Sequence, residues 1–416
     1  MNLTPSPFAP DTFPVLPLVP GVRAATASRG FYASRGVERD DVFLFAFPPG
    51  TVCAGVFTRS TTASADVLWC REALDRGNGE ARALVVNSGN SNAFTGPRGV
   101  LKNDATLAAI VNALDAPKDQ CFLGATGVIG EPLPDPNYVG SIVAKLAADL
   151  IPPDWLACAK AFMTTDTYPK GAGFTRAIGS DQAAFSGIAK GSGMIAPNMA
   201  TMLAYVFTDI AAAPNVLDAA LRIACAQSFN AITVDSDTST SDSLMVFATG
   251  ASGAAAILDE QDPRFSDLVQ ALSDICLDLA LQIVKDGEGA RKFITISVEG
   301  AISDESARIM AADIANSPLV KTALAADDAN WGRVVMAVGK SGEPIVLEDL
   351  AIWFADVPVA ENGARAATYD EAAASAAVSN PDISIRVRVG PGPGGATVYT
   401  CDLTHAYVDI NGAYRT

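Results

Sequence analysis

Lys190-Gly-Ser-Gly-Met-Ile-Ala-Pro-Asn-Met-Ala-Thr-Met-Leu203 lies near the middle of this 416-residue chain. A Gly-rich turn leads towards Pro197, and Ala200 stands directly before Thr201, which opens an apolar run. A threonine hydroxyl is a weak nucleophile unless a base sits beside it. Cutting the chain before the threonine supplies one, because the new α-amine can take the proton. Its reference pKa of about 8 suits a base near neutral pH. The composition favours this solution: His405, near the C-terminus, is the only histidine, so a Ser-His-Asp arrangement has no other imidazole to use. Against this stands the ordinary reading of an isolated threonine, a strand residue chosen for β propensity. Lys190-Gly-Ser-Gly193 does not have the Gly-before-Lys order of a phosphate loop. Its glycines read better as backbone freedom around the bond before Thr201.

Composition sets the outer bounds. The chain is long enough to bury a large core in two or three domains. Hydrophobic residues make up 49% and charged residues 18%, which is globular rather than disordered. A net charge of −17 argues against a nucleic-acid binder and against attraction to anionic membranes, yet leaves a locally cationic pocket open. The N-terminus is Pro-rich, with Pro5, Pro7, Pro10, Pro14, Pro17 and Pro20, and has no basic secretory n-region. No apolar run reaches the roughly 18 residues of a membrane span. The seven cysteines are scattered without a C-x-x-C pair, so they read as buried free thiols of a cytoplasmic protein. One histidine and no thiolate cluster leave little to bind a metal, and none is expected.

Periodicity predicts a β-rich start, with strands over Val42–Phe47, Val52–Phe57 and Ala83–Asn87. Helices are predicted over Asn103–Leu114 and Tyr138–Leu150, with a buried strand at Gln120–Gly124 between them. Met202–Phe207 reads as a strand, Pro214–Ser228 as a helix, Asp235–Ser243 as a polar loop and Leu244–Ala248 as a strand. Asp267–Val284 reads as a long helix closed by Lys285-Asp-Gly. Beyond about Lys292 a smaller α+β unit is predicted: strand Phe293–Val298, helix Ser303–Ala315, a helix around Trp331–Val338, then strands near Ile345–Leu347, Ala351–Phe354, Ile383–Val389 and Ala396–Cys401. Gly390-Pro-Gly-Pro-Gly-Gly395 reads as the turn between the last two strands.

Several blocks in order carry a resemblance. They are Asn87-Ser-Gly-Asn-Ser-Asn-Ala93, Thr126-Gly-Val-Ile-Gly130, Thr164-Thr-Asp-Thr-Tyr-Pro-Lys170, the segment around Thr201, Asp235-Ser-Asp-Thr-Ser-Thr240, Lys285-Asp-Gly-Glu-Gly289, Asp328-Ala-Asn-Trp-Gly-Arg333 and Asn411–Thr416. Together they resemble the ornithine acetyltransferase family, the bifunctional glutamate N-acetyltransferases of arginine biosynthesis, over nearly the whole chain. The resemblance implies an α/β (α+β) fold: a layered α-β sandwich core of the ornithine acetyltransferase/aminopeptidase type with a smaller C-terminal α+β domain. It implies self-cleavage between Ala200 and Thr201, giving an alpha fragment 1–200 and a beta fragment. Within the latter, 201–290 would complete the catalytic core, 291–400 would form the smaller domain, and the tail 401–416 would return to the active site. Two copies of each fragment would form a heterotetramer.

The same resemblance assigns roles. Thr201 is the nucleophile, and Thr126 and Gly127 are the oxyanion-hole pair, through the Thr126 hydroxyl or backbone N–H and an N–H near Gly127. Thr164, Lys190, Glu288, Asn411 and Thr416 contact substrate. Lys190 suits an α-carboxylate and Glu288 the side-chain amine of ornithine. Each has a plainer reading: a tight turn at Gly127, a hydroxyl-rich turn at Thr164–Thr167, a solvated carboxylate at Glu288 and a frayed end at Thr416. The expected reaction moves acetyl from N2-acetyl-ornithine to Thr201 and on to glutamate. No cofactor is expected, with acetyl-CoA a further possible donor. Departures from the family pattern are the absence of a lysine in Gly30–Gly36, Ala125 where Ser is common, and Ser236 where Gly is usual. His405 has no catalytic role. The alternatives are a self-processing aminopeptidase or amidohydrolase, which sends the acyl group to water, and an uncleaved amino-acid-binding protein.

Overall fold

Leu203-Ala-Tyr-Val-Phe-Thr208 has no polar alternation, and all six residues are buried. A strand covered on both faces must read this way. The computed structural model describes residues 4–196 and 202–412, and this strand lies at its centre. The first part of the chain forms β1 (Arg23–Ala27), β2 (Val42–Ala46), β3 (Val52–Phe57), α1 (Ala65–Arg76), β4 (Ala83–Asn87), α2 (Pro97–Leu114), β5 (Cys121–Ala125), α3 (Gly140–Ala148) and α4 (Trp155–Ala161). There follow β6 (Lys170–Ile178), β7 (Asp181–Lys190), β8 (Leu203–Thr208), α5 (Pro214–Gln227), β9 (Ser243–Ala248) and α6 (Phe265–Lys285). The last part forms β10 (Phe293–Ala301), α7 (Asp304–Ala315), α8 (Pro318–Ala325), α9 (Trp331–Lys340), β11 (Ala351–Phe354), β12 (Val357–Glu361), β13 (Ala364–Arg365), α10 (Glu371–Val378), β14 (Asp382–Arg388), β15 (Gly394–Cys401) and α11 (His405–Gly412).

Two sheets, ordered β1-β2-β4-β5 and β3-β9-β8-β7-β6, stack face to face. Phe43, Phe45, Leu84 and Phe122 of the first meet Leu203, Tyr205, Phe207 and Phe247 of the second. The alternate residues of β8, Ala204 and Val206, point to the opposite face, where α5 and α6 cover them. On the outer face of the first sheet, Leu44, Val85 and Leu123 pack against Leu107 and Ile110 of α2 and Val143 and Leu146 of α3. The order is helices, sheet, sheet, helices. This is the layered α-β sandwich expected from the sequence. A third sheet, β13-β12-β11-β14-β10-β15, packs one face on α7, α9 and α10 and has its own hydrophobic core.

Local sequence sets the helix starts. Ser64, Ser303 and Ser317 cap α1, α7 and α8, each hydroxyl accepting a backbone N–H three residues on. Pro97 and Pro214 occupy first-turn positions of α2 and α5. The Pro-rich start forms no helix or strand before β1 but is not loose. Leu16, Val19 and Val22 are buried in the inter-sheet core, and the Pro17 carbonyl accepts from Trp155 Nε1 at 3.1 Å and Ser186 Oγ at 2.7 Å.

Some expectations need correction. The helix predicted from Asn103 begins at Pro97, because proline tolerates the first turn. Ile345–Leu347 is not a strand. Val346 donates one hydrogen bond to Val389, and Leu347 then starts a 3-10 turn, so no ladder forms. The β6–β7 hairpin was hidden by small and charged residues, which blur the alternation of a strand. Gly390–Gly395 does connect β14 to β15, but these strands are not neighbours: β10 lies between them, parallel to β14 and antiparallel to β15. The connection crosses the end of β10 at backbone contact. A Cβ on Gly300 would lie 2.0 Å from the Gly390 carbonyl oxygen, which explains the run of glycines. No helix among the described residues is long and apolar enough to cross a membrane.

Phe207 is central to the inter-sheet core, with ring centroids 4.5 Å from Phe45, 5.2 Å from Trp155 and 5.6 Å from Phe247. Phe207→Ala should lower stability by about 3–5 kcal/mol, read as a lower urea midpoint. A midpoint equal to wild type would mean that this core contributes little.

Candidate active site

The site forms where the two stacked sheets of the sandwich end. β5 and β7 bring Ala125 and Lys190 to the same edge, and the loop after α6 reaches it from the other side. A cavity of about 340 Å³ opens there, lined among others by Thr126, Gly127, Thr164, Lys190, Glu288 and Asn411. Six of the residues singled out in the sequence thus converge on one space, although they span almost 300 positions. Ala200, Thr201 and Thr416 lie outside the described residues. His405 is an exposed residue at the start of α11, away from this space.

Thr126 follows β5. Its backbone N–H donates to the Asn87 carbonyl at 3.1 Å, so that donor is already used. Its hydroxyl oxygen accepts from Lys190 Nζ at 3.1 Å, which leaves the hydroxyl hydrogen free to point elsewhere. The Gly127 N–H has no partner among the described residues. At φ +130°, a Cβ on Gly127 would lie 2.4 Å from the Gly89 carbonyl carbon, so only glycine permits this approach. Two donors, the Thr126 hydroxyl and the Gly127 N–H, are therefore available to an oxyanion.

Lys190 and Glu288 are both almost fully buried. Burial lowers the Lys190 pKa, against the opposing charges of Asp166, Glu288 and Asp242. Burial raises the Glu288 pKa, opposed by hydrogen bonds from Thr165 and Asn411. Asn411 Nδ2 donates to Glu288 Oε2 at 2.7 Å. α11 is clamped here by Thr404 Oγ1 to the Gly289 carbonyl at 2.8 Å and by Tyr407 Oη to Asp235 at 3.2 Å. Thr164 and Thr165 both line the cavity. Sequence reasoning had singled out Thr164 alone.

Sequence reasoning missed the supports. Lys170 is fully buried and bonds Asp166 and Asp286 at 2.6 Å each. Asp166 also accepts from Gly191 N at 2.8 Å and Thr164 N at 3.0 Å. Asp286 accepts from Thr167 N at 2.9 Å, and its carbonyl accepts from Ser192 Oγ at 2.6 Å. One ion cluster thus ties the Thr164–Thr167 turn to the Gly191–Gly193 loop. Burial would raise the Asp166 pKa, but the Lys170 and Lys190 charges and its hydrogen bonds hold it well below the usual carboxylate range. For Asp286 burial prevails over Lys170, and the pKa is raised. Asp166 and Asp286 lay inside motifs already noted, but nothing in their spacing announced a shared lysine.

A single loop holds Met194 and Ile195 as well as Met202. Asp235 accepts from Met194 N at 2.6 Å and Ile195 N at 2.9 Å, and Asp242 accepts from Met202 N at 3.0 Å. Ser236 sits in that loop at φ +67°, a conformation that glycine adopts more readily.

Removing the cation from this cluster should be costly. Lys170→Met would leave two carboxylates buried without it, a loss of about 3–5 kcal/mol. The sign with pH follows from Asp166. Its folded pKa is depressed, so its contribution is present above the unfolded value of about 3.9 and is lost as pH falls towards the folded one. The stability gap between Lys170→Met and wild type, from urea titrations at several pH values, should therefore narrow below about pH 4. A gap that widens on acidification would overturn this account.

A model described as the ArgJ family matches residues 24–416. Across 418 aligned positions the chain is 52% identical to the arginine biosynthesis bifunctional protein ArgJ of Rhizobium meliloti (strain 1021), covering 100% of both. It is 48% identical over 410 residues to the protein of the same name from Zymomonas mobilis, covering 99% of this chain and 98% of the relative. The solved arginine biosynthesis bifunctional protein ArgJ from Bacillus halodurans is 37% identical at a TM-score of 0.48, covering 50% of this chain and 96% of that one. With the family matched along nearly its whole length and relatives half identical from end to end, this chain belongs to the ArgJ family.

Proposed function

We propose that this protein is an acetyltransferase of arginine biosynthesis that works through Thr201 after self-cleavage at Ala200–Thr201. It takes acetyl from N2-acetyl-L-ornithine, releases ornithine, and passes the acetyl to L-glutamate. Acetyl-CoA is the donor we propose for a second activity. The observation that carries the reading is the convergence of Thr126, Gly127, Thr164, Lys190, Glu288 and Asn411 on one cavity. β8 starts beside it, with Leu203 paired to Lys190.

The chemistry follows from the groups present. The α-amine freed by cleavage takes the Thr201 hydroxyl proton as Oγ attacks the acetyl carbonyl. Negative charge develops on the carbonyl oxygen, where the Thr126 hydroxyl and the Gly127 N–H can donate to it. Such donors act strongly because they are already oriented in a water-poor site. The amine of ornithine leaves with the proton, and the acetyl stays on Thr201 as an ester. Glutamate then enters and its α-amine repeats the attack, reversing the proton path. Lys190 would pair with the α-carboxylate common to both substrates. Glu288 would pair with the side-chain ammonium of ornithine, which would draw its raised pKa back down. A carboxylate that binds a cation in one half-reaction and not the other also supports alternation between the two substrates. Two alpha and two beta fragments in a cytoplasmic heterotetramer complete the proposal.

Intact mass and N-terminal sequencing of the purified protein test it first. The expected outcome is fragments 1–200 and 201–416, with threonine at the second N-terminus and a single chain for Thr201→Ala. An uncut wild-type chain would favour a binding protein. Acetyl released to water, with no transfer to ornithine or glutamate, would favour a hydrolase.

Because the Thr126 N–H is spent on Asn87, any Thr126 donor must be the hydroxyl. Thr126→Ala should lower kcat about 100-fold with a smaller change in KM. Thr126→Ser should retain most of the rate. A raised KM at unchanged kcat would instead make Thr126 a binding residue.

A further inference from the structure

Of the block Asn87-Ser-Gly-Asn-Ser-Asn-Ala93, only Ser91 lines the cavity, yet every residue except Gly89 is buried. A buried polar loop needs partners, because polar groups taken from water and left unpaired are unfavourable. Most of those partners lie in one place. The Asn87 carbonyl accepts from Thr126 N at 3.1 Å. Ser91 N and Ser91 Oγ both donate to the Val128 carbonyl, at 3.1 and 2.8 Å. Gly130 N donates to the Ala93 carbonyl at 2.9 Å, and Asn90 Nδ2 to the Glu131 carbonyl at 2.6 Å. The loop after β4 thus fastens the turn after β5 at positions 126, 128, 130 and 131. The Gly127 N–H between them is the one left for a ligand.

The loop also presses on Gly127 itself. Where a Cβ of Gly127 would be, the Gly89 carbonyl carbon lies at 2.4 Å and Asn90 N at 2.7 Å. The Gly89–Asn90 peptide is therefore the floor under Gly127. Gly89, at φ +94°, has no side chain to restrict it, so this floor must be fixed from both ends. At the near end Ser88 is held by its N–H to the Asp41 carbonyl at 2.9 Å and its Oγ to the Ala161 carbonyl at 2.8 Å. At the far end Asn87 Nδ2 donates to the Asn90 carbonyl at 2.9 Å. That carbonyl can only accept, so the amide must turn its N–H towards it. Asn87 Oδ1 is then left buried, without a hydrogen-bond partner among the described residues. The side chain is suited to this place by its donor and not by its acceptor.

We propose that Asn87 is a positioning residue for the transfer reaction: its side chain pins Asn90, holds the Gly89–Asn90 peptide against Gly127, and so aims the Gly127 N–H at the oxyanion. The inference rests on the oxyanion role proposed above for Gly127 and names what sets that donor's direction. Asn87 touches no reacting atom. Its effect passes through the Gly89–Asn90 peptide, and a donor displaced by about 1 Å can cost up to about 100-fold in rate.

The test measures kcat and KM for acetyl transfer from N2-acetyl-ornithine to glutamate, after intact mass has confirmed cleavage. Asn87→Leu keeps the volume and removes the donor. It should lower kcat about 10- to 100-fold with KM nearly unchanged, because an oxyanion donor acts only as charge develops. Asn103→Ala is the comparison. Asn103 Oδ1 accepts from Asn92 Nδ2 at 3.0 Å, so this variant loosens the same loop from α2 without touching the turn. It should lower the urea midpoint and leave kcat close to wild type. An unchanged kcat in Asn87→Leu would overturn the proposal. So would equal losses of kcat in both variants, which would make the loop a general stabiliser. A folded Asn87→Leu that no longer cleaves would overturn it too, by placing Asn87 in self-processing instead. Should leucine not fold, Asn87→Ala removes the same donor without bulk and carries the same outcomes. A wild type that transfers no acetyl would overturn the acetyltransferase reading, a result seen before any variant is compared.

Discussion

The site depends on one buried cation shared by two carboxylates. Lys170 stands between Asp166 and Asp286 with no solvent exposure, and the trio ties the Thr164–Thr167 turn to the Gly191–Gly193 loop. Taking these charges out of water is expensive, and Coulomb attraction at 2.6 Å repays it only because every carboxylate oxygen is also hydrogen-bonded, Asp166 by Gly191 N and Thr164 N and Asp286 by the backbone N–H and hydroxyl of Thr167. A hydrophobic trio could fill the same volume, but it could not bind Gly191 N, Thr164 N and Thr167 N at once. The cluster serves geometry more than stability, because it fixes two loops that have no packed core of their own.

Near that anchor a second loop holds residues on either side of the proposed chemistry. The loop from Asp235 to Asp242 grips Met194 and Ile195 on one side and Met202 on the other. Space is equally constrained on the upstream side: a Cβ on Gly193 would sit 2.5 Å from the Glu288 carboxyl. The glycines of Gly191-Ser-Gly193 thus serve close approach as much as flexibility. The cavity also depends on the far end of the chain, since α11 reaches Glu288 only because Gly289 leaves room for the backbone of Tyr407, 2.7 Å from where its Cβ would be.

The net charge of −17 and the local electrostatics are separate matters. Inside the cavity Lys190 hydrogen-bonds Thr126, and the charges of Asp166 and Glu288 favour its charged form. An acidic protein can thus present a cation to an anionic substrate, because burial and distance, not the total, set the local field.

The sequence by itself determined the layered fold, the family and six of the cavity residues. Motif blocks such as Thr126-Gly127 and Glu288 with Asn411 are local patterns that survive reading in one dimension; they carry the resemblance that implies the layered fold, and an apolar run such as Leu203–Phe207 reads as a buried strand within it. What only the tertiary structure decided were relations between distant segments. Lys170 meets Asp286 across 116 positions, the Thr126 N–H goes to Asn87 so that its hydroxyl is the free donor, and Asp242 closes on Met202 across 40. The β6–β7 hairpin and the crossing of β10 by the Gly390–Gly395 segment belong with these. Hydrogen bonds and ion pairs between such segments depend on which backbones the packed sheets bring together, and no spacing along the chain encodes that.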